Sequence, residues 1–286
     1  MRYIRRTHVR QHTGTLQYAG KSITFHFWSH LQGEEMPDTV VFLGTGQIGR
    51  VAQWAAQAAP SGVVVVEGAP HWHAHPSARD LYDFMYEYTL TAFQAVLSEF
   101  AITSAHVIAQ SQAAPGIVRL GNNYSNLVDN VVLMAPLGFA ASIFGDTSET
   151  QVRTLVRRTA RTFLQFSQSP LYDPRNIYIG FMLVRAILME SERGASKRKY
   201  ATGLAYDMRE DCRALMKRQR EKGKALTLLL GNKDKIFTVQ EIKPLIDGMG
   251  IEDVQIRVLP GVSHLSLAVR GGKKVLKAAI DIVREE

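Results

Sequence analysis

The chain has 286 residues, 46% of them apolar, with 34 Lys and Arg against 26 Asp and Glu and a single cysteine. That is ample apolar sequence for a packed core, and one cysteine, Cys212, excludes an internal disulfide framework or a Cys-rich zinc site, which fits a reducing, cytoplasmic compartment. The basic start MRYIRRTHVRQHTG is followed by no apolar run of signal-peptide length, and the longest apolar stretch, 177–189, contains Arg185, so neither export nor an integral membrane span is expected. Residues 138–222 carry 16 Lys and Arg against 9 Asp and Glu, an excess of +7 within the chain's formal +8. The two signs are interspersed there, as on a solvated helical surface. No zinc finger or RNP-like aromatic motif accompanies the charge, so no nucleic-acid partner is expected.

In chain order, residues 15–28 predict two alternating strands joined at Ala19-Gly20-Lys21, a hairpin ahead of the main sheet. Residues 38–43 predict a short apolar strand, and 47–58 a helix with Ile48, Val51, Ala52 and Ala55 on one face. The β-branched run 63–66 is the type buried on both faces of a parallel sheet. A loop, 67–76, leads to a long helix at 77–100. Val107, Ile108 and Ala109 predict the next strand, after which Ala113, Ile117, Val118 and Leu120 repeat at helical spacing. Strands follow at 131–135, 226–230 and 254–259, with helices at 239–249 and 267–284. This alternation predicts an α/β fold with a mostly parallel central sheet and helices on both faces.

One interval breaks the alternation. Between 138 and about 205 the patterns are helical only, at 152–166 and 177–191, separated by Ser169-Pro170 and Asp173-Pro174. A helical cap inserted before the last two strands would lie over the strand C-termini, where open α/β sheets bind ligands. The expected organisation is therefore a core of 1–137 and 206–286 with a cap of 138–205. A separate small helical domain with its own partner is the alternative.

Polar residues with chemistry collect at the strand ends. Ser111 stands at a strand-to-helix switch within Ala109-Gln110-Ser111-Gln112-Ala113. A tight nucleophile elbow needs small residues two before and two after the serine, because the strand and helix backbones nearly touch. Alanines meet that demand here in place of the glycines of G-x-S-x-G; a simple helix N-cap serine is the competing reading. Strand 226–230 runs into Gly231-Asn232-Lys233-Asp234, and strand 254–259 into Pro260-Gly261-Val262-Ser263-His264. A parallel sheet carries these ends to one edge, so Ser111, Asp234 and His264 are expected to converge.

The order Ser, Asp, His, with the long helical interval before the last two strands, resembles the α/β-hydrolase superfamily over nearly the whole chain. The resemblance implies a serine hydrolase acting on a small-molecule acyl substrate without a cofactor: Ser111 as nucleophile, His264 as base and Asp234 as the acid that orients it. The loop after the third strand resembles the family's HG-x oxyanion loop, with Leu43 in place of the histidine and Gly44 matching. Thr45 falls where a backbone N–H faces the oxyanion, joined by that of Gln112. Substrate choice would lie with Gly44, with the loop holding His71 and Trp72, and with apolar cap residues including Phe163 and Phe181. The family constellation also serves acyl transfer, carbon–carbon hydrolysis and perhydrolysis, which leaves the bond open. A homodimer is compatible with the sequence, as is a catalytically inert binding protein of the same fold.

The same region carries a second pattern. VVFLGTGQIG contains Gly44-x-Gly46-x-x-Gly49 between a strand and a helix, and the following strand ends at Glu67, which together form a dinucleotide-binding fingerprint and the alternative of a nucleotide-dependent oxidoreductase. A hairpin precedes the strand, where a Rossmann domain normally opens, and this weighs against it. His71, His73 and His75 alternate in HWHAHP, but no Asp or Glu at ligand spacing completes a zinc site, so no metal is expected. His106, inside a strand, is expected to be structural.

Overall fold

Strand segments made almost wholly of Val, Ile, Leu and Ala have no polar face to show to water, and they form the middle of the sheet. The computed structural model describes residues 8–44, 47, 49–69, 78–136, 138, 150, 153–154, 157–158, 161, 208–248, 255–264 and 272–285. Its elements in chain order are β1 (His8–Tyr18), β2 (Lys21–Leu31), β3 (Thr39–Phe42), α1 (Arg50–Ala58), β4 (Val63–Val66), α2 (Ala78–Glu99), β5 (Ala105–Gln110), α3 (Ala114–Asn123), β6 (Val128–Met134), α4 (Arg209–Glu221), β7 (Leu226–Gly231), α5 (Val239–Asp247), β8 (Gln255–Leu259) and α6 (Gly272–Glu285). Eight strands pair in the order β1-β2-β4-β3-β5-β6-β7-β8. The pairs β1–β2 and β2–β4 are antiparallel and the other five are parallel.

The pleat sends alternate residues to two cores. Val40, Phe42, Val64, Val66, Val107, Val131, Leu133 and Leu228 face a layer formed by α2, α3, α4 and α5. Val41, Val65, Ile108, Val132 and Leu229 face α1 and α6, whose Ala52, Ala55, Leu276, Ala279 and Ile280 are fully buried. Small side chains on α1 let it lie close to the sheet. Among the described residues no helix is long and apolar enough to cross a membrane.

Four elements differ most from expectation. The hairpin strands are longer, pairing from His8↔Leu31 to Tyr18↔Lys21 around a two-residue turn, because the polar residues of β1 cost nothing on the outermost strand. Helix α1 begins at Arg50, not at residue 47: Gly49 caps it at φ 53, and Gln47 closes a turn onto the Gly44 carbonyl at 3.2 Å. Helix α4 lies in a stretch to which the sequence assigned no element. Its apolar residues are few, with Cys212 and Leu215 buried against the core among mostly charged neighbours.

His106 pairs with Thr39 near the amino end of β5, at the opposite end of that strand from Ser111, and its Nδ1 accepts the Asn130 N–H at 3.4 Å. Burial, partly offset by the carboxylates of Asp129 and Asp38, lowers its pKa from the ordinary 6.5. The unfolded chain therefore takes up this proton more readily. The stability this group contributes is present above the unfolded value and lost as pH falls below it. The melting temperature of His106→Gln is expected to drop less between about pH 7 and 5 than that of the parent chain; equal slopes would remove His106 as a source of acid sensitivity.

Candidate active site

Strand β5 stops at Gln110, and Ser111 turns the chain sharply with φ 52, a left-handed value rare for a residue with a Cβ. A short 3-10 turn, Ser111–Ala113, then leads into α3, which has Pro115 in its first turn where a missing N–H costs no bond. Ala109 and Ala113 are buried. The turn leaves Ser111 only partly buried at the carboxyl edge of the sheet.

The loops after β7 and β8 meet this edge and are stitched to each other. Asn232 N–H donates to the Leu259 carbonyl at 3.1 Å, Lys233 N–H to the Val262 carbonyl at 2.9 Å, and Gly261 N–H to Asn232 Oδ1 at 2.7 Å. His264 Nε2 lies 3.0 Å from Ser111 Oγ, and His264 Nδ1 lies 2.9 Å from Asp234 Oδ2. The other carboxylate oxygen, Oδ1, accepts the backbone N–H groups of Ile236 and Phe237 at 2.8 and 2.9 Å. Asp234 is 3% exposed and His264 9%. With Asp234 accepting from Nδ1–H, the imidazole presents a bare Nε2 to the serine hydroxyl. The Phe237 ring, 5.1 Å from the imidazole, closes one side of it.

No family model matches the chain, and no curated protein matches its sequence. Solved structures match over almost all of it. A bromoperoxidase from Bacillus anthracis aligns with TM-score 0.64 and 13% identity, covering 96% of this chain and 100% of that one. A carboxylesterase structure from the ammonia-oxidizing Thaumarchaeon Nitrososphaera gargenis aligns with TM-score 0.59 and 14% identity, covering 95% and 99%. The chain has the α/β-hydrolase fold. A naproxen esterase from Bacillus subtilis shares it at TM-score 0.55 and 11% identity, covering 96% of this chain and 92% of that one.

Within this α/β-hydrolase fold the loop after β3 presses on the elbow. A Cβ on Gly44 would come within 3.2 Å of Ser111 Cβ and of the Gln110 carbonyl, and one on Gly68 would lie 2.1 Å from the Gly44 carbonyl. Glycine at both positions is what lets the three backbones stack. Glu67, 3% exposed, turns inward: Oε1 accepts the His26 N–H at 2.7 Å and Oε2 the Gly49 N–H at 2.8 Å. The acid of the dinucleotide fingerprint is thus committed to backbone N–H groups of β2 and of the turn before α1, not exposed for a ribose. Tyr88 donates its hydroxyl to the Glu67 carbonyl at 2.8 Å; burial, then the Glu67 charge, push its pKa well above the ordinary value.

Two buried glutamines join the site's loops, and neither was singled out from the sequence. Gln47 Nε2 donates to Gln110 Oε1 at 2.6 Å, and Gln110 Nε2 donates to the His264 carbonyl at 3.1 Å. The available signal was a long polar side chain ending an apolar strand, since a buried amide must find partners. Gln112 follows the nucleophile position and is partly buried. Thr45, His71, Trp72, Phe163 and Phe181 lie outside the described residues, as do His73 and His75. Among the described residues no group of three or more His, Cys, Asp or Glu side chains is arranged to hold a metal ion.

Proposed function

We propose that the protein is a serine hydrolase that cleaves an ester or related acyl bond. The observation that carries this is the unbroken chain of contacts from Ser111 Oγ through His264 to Asp234 Oδ2, on an elbow with φ 52. His264 Nε2 takes the hydroxyl proton as Ser111 Oγ attacks the acyl carbon. Asp234 holds the proton on Nδ1 and stabilises the imidazolium. The tetrahedral oxyanion is met by the backbone N–H groups of Gln112 and Thr45, each worth about 3 kcal/mol in sites of this kind. His264 then gives its proton to the leaving group. Water, activated by the same imidazole, releases the acid from the acyl-enzyme and restores Ser111.

The likeness in fold to proteins named as carboxylesterase and naproxen esterase supports an ester as the substrate bond. In this reading residues 138–205 cap the strand C-termini, and Phe163 and Phe181 with the His71–Trp72 loop and Gly44 shape the acyl pocket. The test is a fluorophosphonate probe on the purified protein, with the modified peptide located by mass spectrometry. Labelling at Ser111, blocked by Ser111→Ala, is expected. A folded protein that stays unlabelled at Ser111 would overturn the assignment and leave the inert binding protein in its place.

A further inference from the structure

Arg158 belongs to the stretch between β6 and α4, yet its guanidinium reaches the loop that carries Asp234. Nη1 donates to the Ile236 carbonyl at 3.0 Å and to Glu241 Oε2 at 2.8 Å, while Nη2 donates to Glu241 Oε1 at 2.7 Å. This is a two-pronged pair of the kind that fixes orientation as well as distance. Glu241 sits in the first turn of α5, where its Oε2 also accepts the Thr238 hydroxyl at 2.6 Å and its N–H donates to the Thr238 carbonyl at 3.1 Å. The Arg158 and Glu241 side chains are 15% and 32% exposed. Burial alone would raise the Glu241 pKa, but the hydrogen bonds from Arg158 and Thr238 outweigh it and hold the carboxyl below its ordinary value. Glu241 is therefore favoured in its ionised form.

The residue in the middle is Ile236. Its N–H donates to Asp234 Oδ1, and its carbonyl accepts from Arg158. Its neighbour Phe237 also donates to Asp234 Oδ1 and packs beside the His264 ring. The geometry points to Arg158 as a positioning residue for the acid of the site: the guanidinium, braced on Glu241, holds the 236–237 backbone that aims the Asp234 carboxylate at His264. A residue contributed from between β6 and α4 thereby takes part in turnover without touching substrate. This inference rests on the triad assigned to Ser111, His264 and Asp234. The competing role is a fastening, in which the pair only ties its stretch of chain to the core.

The experiment measures kcat, KM and melting temperature for hydrolysis of p-nitrophenyl butyrate by the full chain and by Arg158→Met, Arg158→Lys, Glu241→Gln, Asp234→Asn and the Arg158→Met/Asp234→Asn double variant. Arg158→Met is expected to lower kcat about tenfold with KM changed less than about twofold, and to have no further effect once Asp234 is asparagine. Arg158→Lys should recover part of the loss, having a charge but no fork. Should Arg158→Met fold poorly, Glu241→Gln, which keeps an acceptor but removes the charge, should give a smaller loss of the same kind. Wild-type kcat in both folded Arg158→Met and Glu241→Gln, or losses that multiply with Asp234→Asn, would overturn the positioning role and leave the triad standing. Wild-type turnover in Asp234→Asn alone would overturn the triad and this inference with it.

Discussion

Ser111→Ala is expected to remove hydrolysis of short p-nitrophenyl esters, lowering kcat by about 10⁴-fold or more with the fold intact. The reason is local. Ser111 is partly buried, and its hydroxyl makes the 3.0 Å contact to His264 Nε2 at the end of a turn whose backbone is set by its neighbours. Alanine meets the same backbone strain at φ 52 and fills no new space, so circular dichroism and melting temperature should stay close to those of the parent. Near wild-type turnover by the folded variant would remove Ser111 as the nucleophile.

Asp234→Asn should come close to that effect, at about 10⁴-fold in kcat. An asparagine can keep only one of the two sets of contacts that the carboxylate makes. If its oxygen faces Ile236 and Phe237 N–H, its amide group faces His264 Nδ1, which must then be bare. The ring proton moves to Nε2 and points at Ser111, so the base can no longer accept. If the amide is flipped, its N–H groups confront two backbone donors in a site only 3% exposed. Asp129→Asn is the comparison, since Asp129, near the amino end of β6 and so at the opposite edge from the elbow, pairs with Lys224. Its loss should leave turnover unchanged, and a larger effect at Asp129 than at Asp234 would reject the assignment of the acid.

The middle of the sheet was legible because β3 to β7 are short, mostly apolar runs, and because parallel strands must all end at one edge. That rule alone brought positions 111, 234 and 264 together from three distant segments. The start of α1 was misread for a specific reason: Gln47 has the spacing of a helical residue but is held by the Gly44 turn and by Gln110. Helix α4 escaped because its apolar positions are thinly spread among charges, and its place became clear only with Leu215 packed over Gly121. The Gln47–Gln110 and Arg158–Glu241 contacts join residues 63 and 83 positions apart. No periodicity or short motif reports a pairing of that kind.

Glu67 was legible as a residue, and its place in the dinucleotide pattern belongs to the alternative that the preceding hairpin weighs against. The dinucleotide pattern needs a carboxylate close to a glycine loop, and sequence spacing cannot say whether it faces outward to a ligand or inward to the backbone around it. The structure shows the inward case, with its two oxygens on His26 and Gly49 N–H.

The left-handed backbone at Ser111 sets the interests of folding and of chemistry against each other. A non-glycine residue in that conformation costs on the order of 1–3 kcal/mol, a noticeable part of the roughly 5–15 kcal/mol by which a domain of ordinary stability stays folded. Glycine would occupy the position without that penalty, so a search for heat-resistant variants scored on folding alone is drawn toward erasing the hydroxyl. A thermostabilising campaign on this chain has to hold position 111 fixed or carry a turnover assay alongside every melting curve.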